Sequence, residues 1–189
     1  MVSARRGKLV LVVGASCAGK DTLIVAAMKS LPGALPLHFS ELEITRAPSE
    51  SGRHVTVSVD TFEERERRGY YVLSWNAHDT RYGVPESAKH ALDAGASVVT
   101  VASRAAVDEA RGLPWECRVV EIRAPLAVIR ARLLARGRET PEAIETRLAR
   151  ASQVDVLGDD VHVVDNGGAL ADSSQAFNAV LLAVAHEAR

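Results

Sequence analysis

The sequence predicts an α/β domain: a parallel sheet with helices packed on both faces. Three observations lead there. Short, mostly apolar runs recur at Lys8–Val13, Ser97–Ala102, Arg118–Ile122 and Val161–Val164; the first three read as buried strands and the last as a short strand. Stretches of helical length stand between them, as a parallel sheet requires. Glycine or proline closes several of those stretches.

Taken in order, Lys8–Val13 (KLVLVV) is the first strand, followed by a glycine-rich turn and a helix from about Lys20 to Leu31 that Pro32 and Gly33 end. From Arg53 to Val59 the pattern alternates, with Val55, Val57 and Val59 on one face and His54, Thr56 and Ser58 on the other. That predicts a half-exposed strand, paired antiparallel. Asp60 or Thr61 then caps a short charged helix, Thr61 and Glu64 having the capping-box spacing. Gly69 stops it, and Tyr70–Trp75 resumes as a strand. A helix near Glu86–Ala94 ends at Gly95, ahead of the strand Ser97–Ala102. After Arg118–Ile122 comes an amphipathic helix, Leu126–Ala135, with Leu126, Ile129 and Leu133 inward. Thr140 caps a further helix with Pro141 at its first position. Val161–Val164 and a C-terminal helix close the chain. The polar-alternating strands at 53–75 interrupt this rhythm as an inserted lobe. The expected division of one domain over 1–189 is a core (8–37, 95–125 and 155–189), a lobe at about 38–94 and a helical hairpin at about 130–150.

A chain of 189 residues, 47% hydrophobic and 25% charged, suits one soluble globular core. The formal charge of −1 gives no global basic field for nucleic acid or a membrane surface. Cys17 and Cys117 have neither metal-site spacing nor a CxxC pattern, so a reducing cytoplasm is the expected compartment. The first apolar run is too short for a signal-peptide core or a membrane span. His38, His54, His78, His90, His162 and His186 show no metal or triad spacing and read as structural or exposed; Trp75 and Trp115 read as core.

The strongest motif is Gly14-Ala15-Ser16-Cys17-Ala18-Gly19-Lys20, which follows a buried strand and opens a helix as a P-loop does. Glycines let backbone N–H groups turn in around phosphate oxygens, and the helix N-terminus adds a favourable dipole. Lys20 is expected on the β- and γ-phosphates of ATP. The next residue, usually a hydroxyl that ligates Mg²⁺, is Asp21. Thr22 does not simply replace it, being rotated by about 100° along the helix. Asp21 either holds Mg²⁺, directly or through water, or is an acidic first-turn residue favoured by the dipole.

Arg132 and Arg136 share one helix face. Gly137 breaks that helix, Arg138 follows, and the next helix carries Arg147 and Arg150. Such a hairpin downstream of a P-loop suggests a lid that places guanidinium groups over a transferring phosphoryl. On the acceptor side, Thr45-Arg46, Arg53, Tyr82-Gly83 and Ser103-Arg104 lie in or beside the lobe, and their forks and hydroxyls suit a phosphate-bearing acceptor. No general base stands out. That favours a phosphate acceptor, already an anionic nucleophile, over a hydroxyl.

These residues resemble the guanylate-kinase-like family from Lys8 to about Leu170, through the P-loop, Thr45-Arg46, Phe62 with Gly69, Tyr82-Gly83, Arg132-Leu133, Arg136-Gly137 and Arg147-Leu148. The resemblance implies acceptor-phosphate roles for Arg46 and Tyr82, ATP-side lid roles for Arg132, Arg136 and Arg147, and a place near the adenine for Asn166. The departures point further. Where guanylate kinases read guanine with an acid, this chain has Val72-Leu73-Ser74-Trp75, and Leu73 cannot accept guanine N–H bonds. The acidic strand end is replaced by Thr100-Val101-Ala102-Ser103-Arg104, and Thr-Arg-x-Pro-Arg survives as Thr45-Arg46-Ala47-Pro48-Ser49. Gly19-Lys20-Asp21, Leu73-Ser74-Trp75 and Ala102-Ser103-Arg104 resemble the ribose 1,5-bisphosphate phosphokinases of phosphonate breakdown. That implies transfer from ATP to the 1-phosphate of ribose 1,5-bisphosphate, giving 5-phosphoribosyl 1-diphosphate. A guanylate-type nucleoside monophosphate kinase is the alternative. A non-catalytic binding module fits less well, because Lys20 and the lid arginines are intact.

Overall fold

The computed structural model describes residues 6–47, 53–77, 79–137, 139–151 and 156–187. The first half runs β1 (Leu9–Gly14), α1 (Lys20–Ser30), β2 (Leu37–Phe39), β3 (Leu42–Ile44), β4 (His54–Thr56), α2 (Val59–Arg67), β5 (Leu73–Ala77), β6 (Thr80–Val84) and α3 (Glu86–Asp93). The second runs β7 (Ser97–Val101), α4 (Val107–Arg111), β8 (Cys117–Arg123), α5 (Leu126–Arg136), α6 (Pro141–Ala151), β9 (Val161–Asp165) and α7 (Leu170–Glu187). Among the described residues no helix is long and apolar enough to cross a membrane.

Five strands form a wholly parallel sheet in the order β2-β7-β1-β8-β9. β1 lies at its centre, and Leu9 to Val13 are fully buried. Its side chains alternate between two cores, as the two-residue period of a strand dictates. Leu9, Leu11 and Val13 join Ala88 and Leu92 of α3, and Val107 and Ala110 of α4. Val10 and Val12 join Leu23, Ile24 and Ala27 of α1, and Phe177 and Leu181 of α7. The chain leaves β1 towards one edge and returns for β8 on the other side, so the turn after β1 stands at a topological switch point, where open α/β sheets bind ligands.

A second sheet, β4-β3-β6-β5, stands beside this core. β6 pairs antiparallel with β3 and β5, but β4 pairs parallel with β3, Leu42 opposite His54 and Ile44 opposite Thr56. The antiparallel expectation for 53–59 is therefore wrong: alternation within one strand says nothing about which way its neighbour runs. The valine face is also not the buried one, since Val55 and Val59 are nearly half exposed. Three further expectations shift. Ser58 caps α2, accepting from the Thr61 N–H at 3.1 Å, so neither Asp60 nor Thr61 is the cap. The strand expected at Tyr70–Trp75 starts at Leu73. Leu126, at the first turn of α5, is 46% exposed; Ile129 and Leu133 point inward as expected and meet Ile144 and Leu148 of α6.

The second sheet is pinned by one buried acid. Glu43 on β3 accepts from Arg65 of α2 at 2.5 Å, from the Tyr71 hydroxyl at 2.7 Å and from Tyr70 at 3.3 Å. Burial, then the carboxylate, pushes the Tyr71 hydroxyl well above its ordinary pKa, so it stays a donor. The Tyr71 ring presses on β6, where a Cβ at Gly83 would lie 2.4 Å from it. That close approach explains the glycine of Tyr82-Gly83.

Candidate active site

The loop from Gly14 to Lys20 is shaped by what touches it from behind. Gly14 has φ +139°, and a Cβ there would lie 2.3 Å from the Ile122 carbonyl oxygen. Gly19 has φ +101°, and its Cβ would lie 2.1 Å from Asn166 Nδ2. Between them Cys17 takes a left-handed conformation at φ 62°, costing about 1–2 kcal/mol for a residue with a Cβ. Asn166 is buried; its amide donates to the Ala18 carbonyl at 2.7 Å. Arg132 donates to the carbonyls of Ala18 (3.2 Å) and Asn166 (2.8 Å), tying the loop to the end of β9. Lys20 Nζ folds back over the loop and donates to Gly14 and Ala15 oxygens, both at 2.9 Å. Burial lowers its pKa, and the neighbouring Asp21 carboxylate opposes that shift.

The α5–α6 hairpin reaches over the same loop. Arg147 donates to Ser16 Oγ at 2.8 Å. Glu139, between the helices, accepts from Arg136, and its same oxygen lies 3.6 Å from Arg147. Arg138 lies outside the described residues.

Two cavities flank the loop. The larger, about 590 Å³, opens between the two sheets and is lined by Ser16, Arg46, Arg53, His54, Tyr82, Glu139 and Arg147, over an apolar floor of Ile24, Leu42, Ile44 and Val101. The smaller, about 380 Å³, is lined by Gly19, Thr22, Arg132, Asn166 and Leu170. Cys17, Lys20, Asp21 and Arg136 line both. These four residues mark a junction through which one group can reach both spaces.

Of the acceptor residues expected from sequence, Arg46, Arg53 and Tyr82 face the larger cavity. Arg53 is steadied by a bond to the Phe39 carbonyl at 3.1 Å, and Tyr82 stacks flat on Trp75 with centroids 5.4 Å apart. Ser103 and Arg104 do not line it. Ser103 caps the 3-10 turn 104–106, and Arg104 makes an ion pair with the buried carboxylate of Glu121 at 3.1 Å, without hydrogen-bond geometry. Leu73 points into the core at 2% exposure, and Trp115 is buried with its indole donating to Asp93. Gly14, Ala15 and Ala18 form the loop without lining either cavity. Pro48, Ser49 and His78 lie outside the described residues.

The structure brings His54 and Glu139, with the buried Ser40, into the larger cavity, and the sequence singles out none of them for it. By sequence His54 reads with the structural or exposed histidines, yet the start of β4 brings it into the cleft. Burial, then Arg46, lowers its imidazole pKa, while Asp21 and Glu41 pull the other way. Its only sequence signal is membership of the polar face of 53–59. Glu139 follows directly on Arg136-Gly137-Arg138, but only the fold shows that two arginines converge on it.

A hard divalent cation fits this site modestly. Asp21, on the first turn of α1, offers one carboxylate at the junction, and no described group of three or more metal-ligating side chains surrounds it. That suits a Mg²⁺ whose remaining ligands are phosphate oxygens and water.

The chain is 39% identical over 180 residues to a ribose 1,5-bisphosphate phosphokinase of Rhizobium etli, covering 94% of this chain and 91% of that protein. It is 45% identical over 148 residues to one from Acidiphilium cryptum, covering 78% and 79% of the two chains. This chain belongs to the ribose 1,5-bisphosphate phosphokinase family. No family model matches it. Among solved structures, this phosphokinase superposes on a guanylate kinase from Anaplasma phagocytophilum with a TM-score of 0.68 at 16% identity, covering 97% of this chain and 88% of the other. A gluconokinase from Sinorhizobium meliloti gives 0.54 at 17% identity, covering 98% and 97%. At such identities the likeness establishes the fold, a guanylate-kinase-like P-loop kinase, and nothing about the acceptor.

Proposed function

We propose that the chain transfers the γ-phosphoryl of ATP to the 1-phosphate of ribose 1,5-bisphosphate, giving 5-phospho-α-D-ribose 1-diphosphate and ADP. The observation that carries this reading is the pair of cavities meeting at Cys17, Lys20, Asp21 and Arg136. ATP occupies the smaller cavity, its adenine towards Asn166 and Leu170 and its phosphates on the loop. The sugar bisphosphate occupies the larger, its 5-phosphate held by Arg46, Arg53 and the Tyr82 hydroxyl. Neither Ser103 nor Arg104 is given a direct contact.

At neutral pH the 1-phosphate is largely a dianion, its second pKa being about 6. One of its oxygens attacks the γ-phosphorus in line, and the bond to the β–γ bridging oxygen breaks with its electron pair leaving on ADP. No proton moves in that step, in accord with a cleft in which no residue is assigned as general base. Lys20 turns from its two loop carbonyls to the β- and γ-oxygens, while Arg136 and Arg147 meet the charge gathering on the transferring group. Mg²⁺, when bound with ATP at Asp21, neutralises charge on the β- and γ-phosphates. Leu73, turned into the core, leaves nothing at the family's guanine-reading position to accept a base N–H, and the smaller sugar needs no such reader.

The test is the structure of the product. With Mg·ATP and ribose 1,5-bisphosphate, phosphorus NMR is expected to show the C1 phosphate monoester replaced by two coupled diphosphate resonances, one ADP forming per sugar consumed. ADP formation without a sugar diphosphate contradicts the reading.

A further inference from the structure

Glu139 is an unusual residue to find in this cleft. Its side chain is only 8% exposed, and a buried carboxylate persists only when paired. Among the described residues it is paired through a single oxygen: Arg136 at the end of α5 donates to Oε1, and Arg147 on the second turn of α6 lies 3.6 Å from it. The other oxygen, Oε2, is buried with no hydrogen-bond partner among the described residues. Arg147 also donates to Ser16 Oγ at 2.8 Å. A continuous polar chain, Arg136–Glu139–Arg147–Ser16, therefore runs from the junction of the two cavities to the phosphate loop.

The hairpin itself does not depend on this acid. An apolar seam of Ile129, Leu133, Ile144 and Leu148 closes α5 on α6, Arg130 pairs with Glu145 on the outer face, and Thr140 caps α6 by accepting from Ala143 N–H at 3.3 Å. What Glu139 does alone is bring two guanidinium groups to one point, where they would otherwise repel. Each guanidinium has five donors in a rigid fork. One edge held by Glu139 leaves the others free for phosphate oxygens. Donors fixed in place before the charge develops need no reorganisation in the transition state.

We propose that Glu139 is a positioning residue for phosphoryl transfer: its carboxylate holds the guanidinium groups of Arg136 and Arg147 together at the transfer point. This rests on the reading that those arginines meet the transferring phosphoryl. Because the loop holds ATP and the second sheet holds the acceptor, Glu139 acts on the chemical step and leaves ground-state binding of both substrates nearly untouched.

Steady-state kinetics of Glu139→Gln and Glu139→Asp test this, each alone and in an Arg147→Ala background, alongside melting temperatures. Glu139→Gln keeps the size and loses the charge. It is expected to lower kcat roughly ten- to a hundredfold, the scale of a small misplacement of a catalytic group. Both KM values should stay within about threefold, and the melting temperature should hardly move. Glu139→Asp should recover part of the rate. In the Arg147→Ala background Glu139→Gln should cost much less, because the two residues act as one unit. An unchanged or raised kcat in Glu139→Gln overturns the proposal, since the acid would then only compete with phosphate. An equal loss in both backgrounds overturns it too. Wild-type turnover is read first with ribose 1,5-bisphosphate and with GMP. A wrong acceptor shows there, whereas a wrong role for Glu139 shows only in the variant-to-wild-type ratio on whichever acceptor is used.

Discussion

The two walls of the cleft, one proposed to hold the nucleotide and the other the acceptor, are held by different means. On the nucleotide wall the phosphate loop hangs from the centre of a five-strand parallel sheet, its own main chain packed on the Ile122 carbonyl and bonded by the Asn166 and Arg132 side chains. The acceptor wall is built from three- and five-residue strands. Side-chain pairs tie it down: Arg65 and both tyrosines to Glu43, Arg81 to Glu63, and Thr56 to the Arg46 carbonyl. Close approaches to the loop's own main chain leave no slack, whereas bonds made at side chains can be loosened one at a time. The nucleotide wall should therefore fail abruptly and the acceptor wall by degrees.

The largest effect expected is at Lys20. Lys20→Ala removes the loop's own lysine, and turnover should fall by roughly 10³-fold or more, with circular dichroism unchanged. Gly19→Ala attacks the same wall through the backbone. Its Cβ would meet Asn166 at 2.1 Å in a conformation that L residues rarely adopt. ATP affinity should drop at least tenfold by calorimetry and the melting temperature should fall; an unaltered protein would show that the loop is less constrained than its contacts imply.

On the acceptor wall the expected losses are selective. Arg53→Ala should raise KM for the sugar bisphosphate about tenfold, the scale of one charge-assisted contact, and leave KM for ATP as it was. Glu43→Gln should cost about 1.5–3 kcal/mol in urea unfolding through its charge-assisted bonds. It should weaken acceptor binding more than ATP binding; equal losses on both sides would erase the contrast between the walls.

The smallest effect concerns His54. Its folded pKa is depressed by burial and by Arg46, so the unfolded chain takes up the proton first as pH falls. Its contribution to stability is full above its ordinary value near 6.5 and is lost as pH drops through the lower folded value. Melting temperatures at pH 7.5 and 5.5 should therefore differ less in His54→Gln than in the wild type.

The same contrast governs what the sequence disclosed. β1, the P-loop, β7 and β8 carry strong local signals, a continuous apolar run or a glycine pattern in one window, and they lie where they were expected. The arginine hairpin was legible for the same reason, its period and its Gly137 break both being local. The acceptor wall was not. β3 and β4 are three residues each, too short for any period to register, and the parallel pairing of β4 with β3 is a long-range choice. Arg104 illustrates the limit: the sequence showed a cation after a strand, but only the fold brings Glu121, on β8 two strands away, within reach of it. His54 and Glu139 owe their places in the cleft to that same folding together of distant segments.

Cys17, Lys20, Asp21 and Arg136 are proposed to join an ATP cavity to a cavity for a sugar bisphosphate. The most direct measurement is kcat/KM for ADP formation with Mg·ATP and, in turn, ribose 1,5-bisphosphate and GMP. A specificity constant for the sugar at least a hundredfold above that for GMP is predicted, of the order that unpaired guanine donors would impose. Equal or better turnover of GMP would contradict the account and mean that another residue of the larger cavity reads a base.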